Sequence, residues 1–180
     1  MNKIIESKVY TLGDNIDTDQ ILTAEYLKIN PATREGYEEL GTLAMSGLPN
    51  GSQQFLEKST KRALYSIIIG GNNFGCGSSR EHAVIALAAS GVKAIVAKSF
   101  ARIFFRNCIV SGHLLPLTIK DDRLNKFKTG DEIKIDLENG SLLNYTSGLI
   151  LSIDPFGELA DIVEAGGIFQ YARKNFSDKI

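Results

Sequence analysis

The chain has 180 residues, 43% hydrophobic and 23% charged, enough to close a core without staples and too apolar for disorder. With 20 basic and 21 acidic side chains the net charge is −1, so neither a basic nucleic-acid face nor an acidic tail is indicated. The two cysteines, Cys76 and Cys108, make no disulfide framework and suit a reducing, cytoplasmic setting, the apolar runs are too short to span a bilayer, and residues 1–7 lack the apolar stretch of a signal peptide.

Residues 4–10 are short and β-prone and predict a strand, followed by a turn at Gly13-Asp14-Asn15. Residues 17–22 read as a polar loop entering a short apolar segment. The stretch 30–61, with Pro31, Gly36, Gly41, Gly47, Pro49 and Gly51, reads as surface connection around a helix over 35–44. Residues 65–69 are apolar and β-branched and predict a buried strand, bounded by Gly70-Gly71. A glycine-rich loop then leads into 81–90, apolar on nearly all sides and so a buried helix, stopped by Gly91 as a left-handed cap. Residues 94–97 are a second buried strand; strand, helix and strand make a βαβ unit with parallel strands. A helix over 100–110 carries Phe100, Ile103, Phe104 and Cys108 on one stripe and ends at Gly112, before a strand at 114–117. Residues 132–137 alternate polar and apolar, Asn139-Gly140 signals a hairpin, and 141–145 and 149–153 continue as antiparallel strands. Residues 157–175 read as one helix broken at Gly166-Gly167. The expected fold class is α/β: one domain over 1–180, with a parallel βαβ core and antiparallel C-terminal strands.

The chemistry belongs to Gly70-Gly71-Asn72-Asn73-Phe74-Gly75-Cys76-Gly77-Ser78-Ser79-Arg80-Glu81-His82. Its glycines permit positive φ and close approach to a ligand, and its amides would converge at a helix N-terminus, which favours an anion. A Walker A loop needs Gly-Lys-Ser/Thr, and no lysine stands here. Residues 75–80 meet G-x-G-x-x-G only at the first two glycines; Arg80 replaces the third, which serves close helix–strand packing. An arginine fork pairs two-pronged with a carboxylate, so a small carboxylic acid fits better than a nucleotide. The blander alternative is a capping box of Ser78 with Glu81, which leaves Arg80 and the surplus glycines unexplained. Asp17-Thr18-Asp19 reads equally well as a capped turn. Cys76, His82, Cys108 and His113 have the count of a zinc site but not the spacing; Cys76 reads as a small loop residue, His82 as helix packing or a support behind the site, and His113 as surface or interface. Two cysteines fall short of the three or four that a 4Fe-4S cluster takes, so a cluster would come from another chain. A non-catalytic small-anion-binding module also stays open.

Gly75-Cys76-Gly77-Ser78-Ser79-Arg80-Glu81-His82 resembles the signature of the small swivelling domain of the aconitase superfamily. Asp14-Asn15-Ile16-Asp17-Thr18-Asp19-Gln20-Ile21 resembles its second signature, and Ala101-Arg102-Ile103-Phe104-Phe105-Arg106-Asn107-Cys108 and Gly166-Gly167-Ile168-Phe169 match two further blocks. The resemblance covers nearly the whole chain. It implies a swivelling β/β/α domain and, for a free-standing chain of this size, the small subunit of a two-chain hydro-lyase. The expected reaction is isomerisation of 2- and 3-isopropylmalate by dehydration and rehydration, a step of leucine biosynthesis; a homoaconitase small subunit is the alternative. By this resemblance Ser78 is the general base, its alkoxide stabilised by Arg80 and the loop amides. Ser79 and Arg80 hold a substrate carboxylate, and Asp19 orients the catalytic groups. The resemblance also implies a large-subunit partner carrying a 4Fe-4S cluster as Lewis acid, no metal in this chain, a hydroxy di- or tricarboxylic acid substrate, and no nucleic-acid or membrane partner. Tyr26, Leu27, Lys28 and Ile29 would shape the pocket for the variable substituent. Leu27 and Ile29 suit an isopropyl group; Lys28 either reads a second carboxylate or points to solvent. Leu22-Thr23 departs from the isoleucine and proline usual in relatives, a looser turn.

Overall fold

The computed structural model describes residues 3–176. Its centre is a seven-stranded sheet with strand order β4-β3-β2-β1-β5-β6-β7. β1 (Ile4–Thr11) belongs to both halves of it. The end of β1 pairs in parallel with β2 (Ile67–Gly70), Val9 opposite Ile67 and Thr11 opposite Ile69. Its beginning pairs antiparallel with β5 (Glu132–Asp136), Ile4 opposite Asp136 and Lys8 opposite Glu132. β3 (Ala94–Ala97) and β4 (Leu115–Thr118) extend the parallel half, and β6 (Ser141–Asn144) and β7 (Ile150–Ser152) the antiparallel half.

The residue patterns account for this division. β2 and β3 are buried at every position, because crossover helices cover both faces of a parallel sheet. β5 alternates, with Ile133 and Ile135 buried and Glu132 exposed, the pattern of a strand with one dry face. Along β2, Ile68 joins one core layer and Ile67 and Ile69 the other, as the period of two requires. α3 (Glu81–Ser90) connects β2 to β3, with Val84, Ala86 and Leu87 fully buried, and ends at Gly91 in the left-handed region. α4 (Arg102–Ser111) connects β3 to β4 and ends likewise at Gly112. The hairpin turn at Asn139-Gly140 joins β5 to β6. At the C-terminal end, α5 (Ala160–Ala165) and α6 (Ile168–Phe176) are separated at Gly166-Gly167, where the broken helix was expected.

Two expectations are corrected. Residues 17–22 are not a loop but contain a short helix, α1 (Thr18–Ile21), started by a capping box in which Asp17 and Gln20 exchange side-chain and backbone bonds. The stretch 30–61 is more than surface connection. It contains α2 (Arg34–Thr42), and Leu40, Ala44, Met45 and Phe55 are buried in the core. Its glycines look like breakers in sequence, yet Gly41 sits inside α2 where a Cβ would lie 2.7 Å from the Ala89 carbonyl carbon of α3. Glycine there permits close helix packing, which sequence cannot separate from a turn signal.

Candidate active site

β1 and β2 are adjacent and parallel, so the loops leaving their C-terminal ends meet, the usual position for a site in such sheets. Backbone bonds fasten loop to loop. Asn15 N donates to Asn72 O (2.7 Å), Gly75 N and Cys76 N to Ile16 O (2.8 and 3.0 Å), and Thr18 N to Cys76 O (2.8 Å). Asp14 Oδ1 accepts from Asn72 N at 2.6 Å. Asn15 and Asn73 both take positive φ, which asparagine tolerates, and Asn73 Nδ2 donates to Asn15 Oδ1 at 3.0 Å. Gly75 has φ +77° and a Cβ there would run into the Phe104 ring; Gly77 has φ +90° and a Cβ there would run into the Asp17 carboxylate. The surplus glycines are therefore explained by the approach of this loop to the Asp17 loop and to α4, and need no ligand.

Ser78, Ser79, Arg80 and Asp19 come together at this seam. Arg80 forms an ion pair with Asp19, from Nη1 to Oδ1, with Nη2 3.4 Å from Oδ2. The Arg80 side chain is only 20% exposed, while the Asp19 side chain is 54% exposed. Asp19 N donates to Asp17 Oδ1 (2.7 Å), so the α1 cap also sets the position of Asp19. Ser78 and Ser79 are exposed. Ser79 O accepts from Asn107 Nδ2 of α4 at 3.4 Å. The Ser78–Glu81 capping box does not form: Arg80 is the N-cap of α3, and no side chain caps it. The box with the same logic lies across the seam, at Asp17 and Gln20. Two residues beside the site escape sequence reasoning. Thr18 is 1% exposed, its hydroxyl 3.3 Å from both Ser78 Oγ and Ser78 O, and Asn107 reaches the loop from α4. Neither residue type signals such a contact; the pairing is visible only once the two loops are brought together.

The geometry can be set beside known proteins. A model of the aconitase C-terminal domain family matches residues 13–122. The chain belongs to that family. Within it, the chain is 46% identical over 175 residues to a 3-isopropylmalate dehydratase small subunit 1 of Arabidopsis thaliana, spanning 96% of this chain and 70% of that one. It is 41% identical to a 3-isopropylmalate dehydratase small subunit of Aquifex aeolicus over 99% of this chain and all 100% of that one. A crystal structure of a 3-isopropylmalate dehydratase from Methanocaldococcus jannaschii aligns with TM-score 0.80 and 34% identity over 98% of this chain and 97% of its own.

The segment in which the family resemblance places substrate choice lies close to the site. A 3₁₀ turn, Ala24–Lys28, carries Tyr26, Leu27 and Lys28, with Ile29 as its C-cap. His82 Nε2, near the start of α3, donates to Ile29 O at 3.2 Å. This contact pins the turn to the start of α3. Tyr26 and Ile29 pack against the core. Leu27 is half-buried and Lys28 exposed. Cys108 is fully buried in the core, and burial pushes its thiol up. The Cys76 thiol is pushed up by burial first and by the Asp17 carboxylate second. His113 is exposed beside Tyr37, 6.1 Å between ring centroids. Among the described residues no three of His, Cys, Asp and Glu stand together as metal donors.

Proposed function

We propose that this chain is the small subunit of a 3-isopropylmalate dehydratase, a hydro-lyase that works with a large iron–sulfur subunit to interconvert 2- and 3-isopropylmalate. The observation that carries the reading is the cluster of Ser78, Ser79, Arg80 and Asp19 at the C-terminal edge of a parallel sheet, in a chain of this family. The cluster is half a site. Its hydroxyls are exposed, whereas an elimination through a strongly basic oxygen needs water excluded. Cys76 and Cys108 do not fit a 4Fe-4S cluster, since Cys108 is sealed in the core and too few donors remain. The cluster therefore belongs to the large subunit, which also closes the open face. The two cysteines are unbridged, which suits a reducing cytoplasm.

On this reading the Ser78 alkoxide takes a proton from one substrate carbon and becomes a hydroxyl. The hydroxyl of the neighbouring carbon leaves as hydroxide and is protonated to water by an acid on the large-subunit face; in the rehydration Ser78 returns its proton to carbon. One C–H and one C–O bond break and a C=C bond forms; water then adds back with the positions exchanged. Arg80 supplies positive charge beside Ser78 and, with Ser79, holds a substrate carboxylate. The Arg80 fork faces Asp19, so the substrate carboxylate shares the guanidinium with Asp19 or displaces it. Leu27 is the apolar side chain left over for an isopropyl group, because Tyr26 and Ile29 already pack inward; Lys28 points away from the core.

The test is anaerobic co-purification with the large subunit of a 3-isopropylmalate dehydratase, then turnover of 3-isopropylmalate, citramalate and homocitrate, followed by absorbance of the unsaturated acid. Turnover is expected with 3-isopropylmalate. Ser78→Ala should lower kcat by about 10²–10⁴-fold, the usual contribution of a positioned base, while the two chains still co-purify. Unchanged kcat in that variant would remove Ser78 from the mechanism; turnover of homocitrate alone would overturn the substrate.

A further inference from the structure

Thr18 has the most enclosed hydroxyl beside the site and no part in the mechanism above. It is 1% exposed, on the buried side of α1 with Ile21. Its side chain is β-branched, which limits χ1 to few rotamers, and it is held at the first helical position after the Asp17 cap. Thr18 N is tied to Cys76 O at 2.8 Å, on the opposite loop. From this fixed base Thr18 Oγ1 lies 3.3 Å from Ser78 O and 3.3 Å from Ser78 Oγ. A threonine hydroxyl has one proton to donate, and here two acceptors of the same residue stand at equal distance.

We infer that Thr18 is a positioning residue for the base, a hydroxyl whose single proton turns from the Ser78 carbonyl to Ser78 Oγ when that oxygen ionises. The inference rests on the reading of Ser78 as base. In the resting state the Thr18 hydroxyl donates to Ser78 O, and Ser78 Oγ–H is free to donate to Thr18 Oγ1. When Ser78 loses its proton to water at its exposed side, rotation about one C–O bond brings the Thr18 proton to the alkoxide, with no movement of heavy atoms. Burial keeps water from competing for that proton, and a hydrogen bond to an ionised acceptor is about twice as strong as one between neutral groups. Thr18 therefore stabilises the form of Ser78 that does the chemistry more than the form that waits.

The experiment uses the assembled two-chain enzyme and the variants Thr18→Val, Thr18→Ser and Ser78→Ala. Valine keeps the shape and removes the donor. Expected for Thr18→Val is a fall of about 10–100-fold in kcat, somewhat below the loss of a full oxyanion donor, with KM within about twofold. The low-pH limb of its kcat profile should move to higher pH, because the alkoxide has lost a donor. Thr18→Ser should restore most of kcat and the original limb. A structural role would instead move KM, co-purification and melting temperature together, give no shift in the limb, and overturn the inference; so would a Thr18→Val enzyme with unchanged kcat. If Ser78→Ala keeps its activity, the reading of the base has failed, and Thr18 loses its role with it.

Discussion

Arg80 and Asp19 show how little of a site is decided by one side chain. The ion pair lies at the surface on the Asp19 side, where water screens it, so its share of folding stability is below about 1 kcal/mol. Its value is geometric: the Asp17 cap holds Asp19, and Asp19 holds the Arg80 guanidinium at the seam between the two loops. Arg80→Lys should therefore leave the melting temperature nearly unchanged, because a lysine keeps the charge. It should raise KM for the hydroxy acid about tenfold or more, because an ammonium cannot grip a carboxylate with two prongs. Steady-state kinetics on the assembled enzyme check this; if KM and kcat are both unmoved, Arg80 does not hold the substrate.

At the scale of elements, short helices here are set by their caps. α1 has only four residues, too few to form on their own, and stands because Asp17 and Gln20 satisfy its first amides and Thr18 N is tied across the seam. The 3₁₀ turn Asp122–Lys126 is begun in the same way by Asp121, whose carboxylate accepts from Arg123 N at 2.8 Å and from the Arg123 guanidinium. Hydrogen bonds from the Arg123 side chain, and then from its amide, lower the Asp121 carboxyl from 3.8 to about 2. A carboxyl whose folded value is depressed adds stability above its unfolded value and loses it as pH falls through the folded one. Asp121→Asn, which keeps a capping oxygen without the charge, should have a lower urea midpoint than the parent above pH 3.8, with the gap closing as pH falls to about 2. A gap that persists unchanged across that window would show that the charge is not its cause.

At the scale of the whole molecule, β1 joins a parallel half, which carries the site, to an antiparallel half, which carries none of its residues. Cys76 and Cys108 report separately on the surface and the core. Cys76 lies on the loop, its thiol pushed up by burial and by Asp17; Cys108 is sealed against α3 and the sheet. With a thiol reagent near neutral pH, Cys76 should react slowly in the native protein, and Cys108 only when urea opens the core. Rapid labelling of both in native buffer would contradict the packing of α4.

The sequence by itself determined the order and kind of the main elements. Apolar, β-branched runs at 65–69 and 94–97 bounded by turn residues fit strands dry on both faces, the alternation at 132–137 fits a strand dry on one, and the glycines at 91, 112 and 166 stop helices locally. It also offered Ser78, Ser79, Arg80 and Asp19 as the candidate set, through the resemblance of their two segments to the aconitase-type signatures. Tertiary structure decided the rest. The box that caps a helix is Asp17–Gln20 and not Ser78–Glu81, although both fit the same four-residue pattern, because only the first has its amides in reach. The glycines at 75 and 77 are required by Phe104 and Asp17, and Thr18 meets Ser78 across sixty residues of chain. Such contacts leave no trace in local composition, since each exists only where two strand ends have been laid side by side.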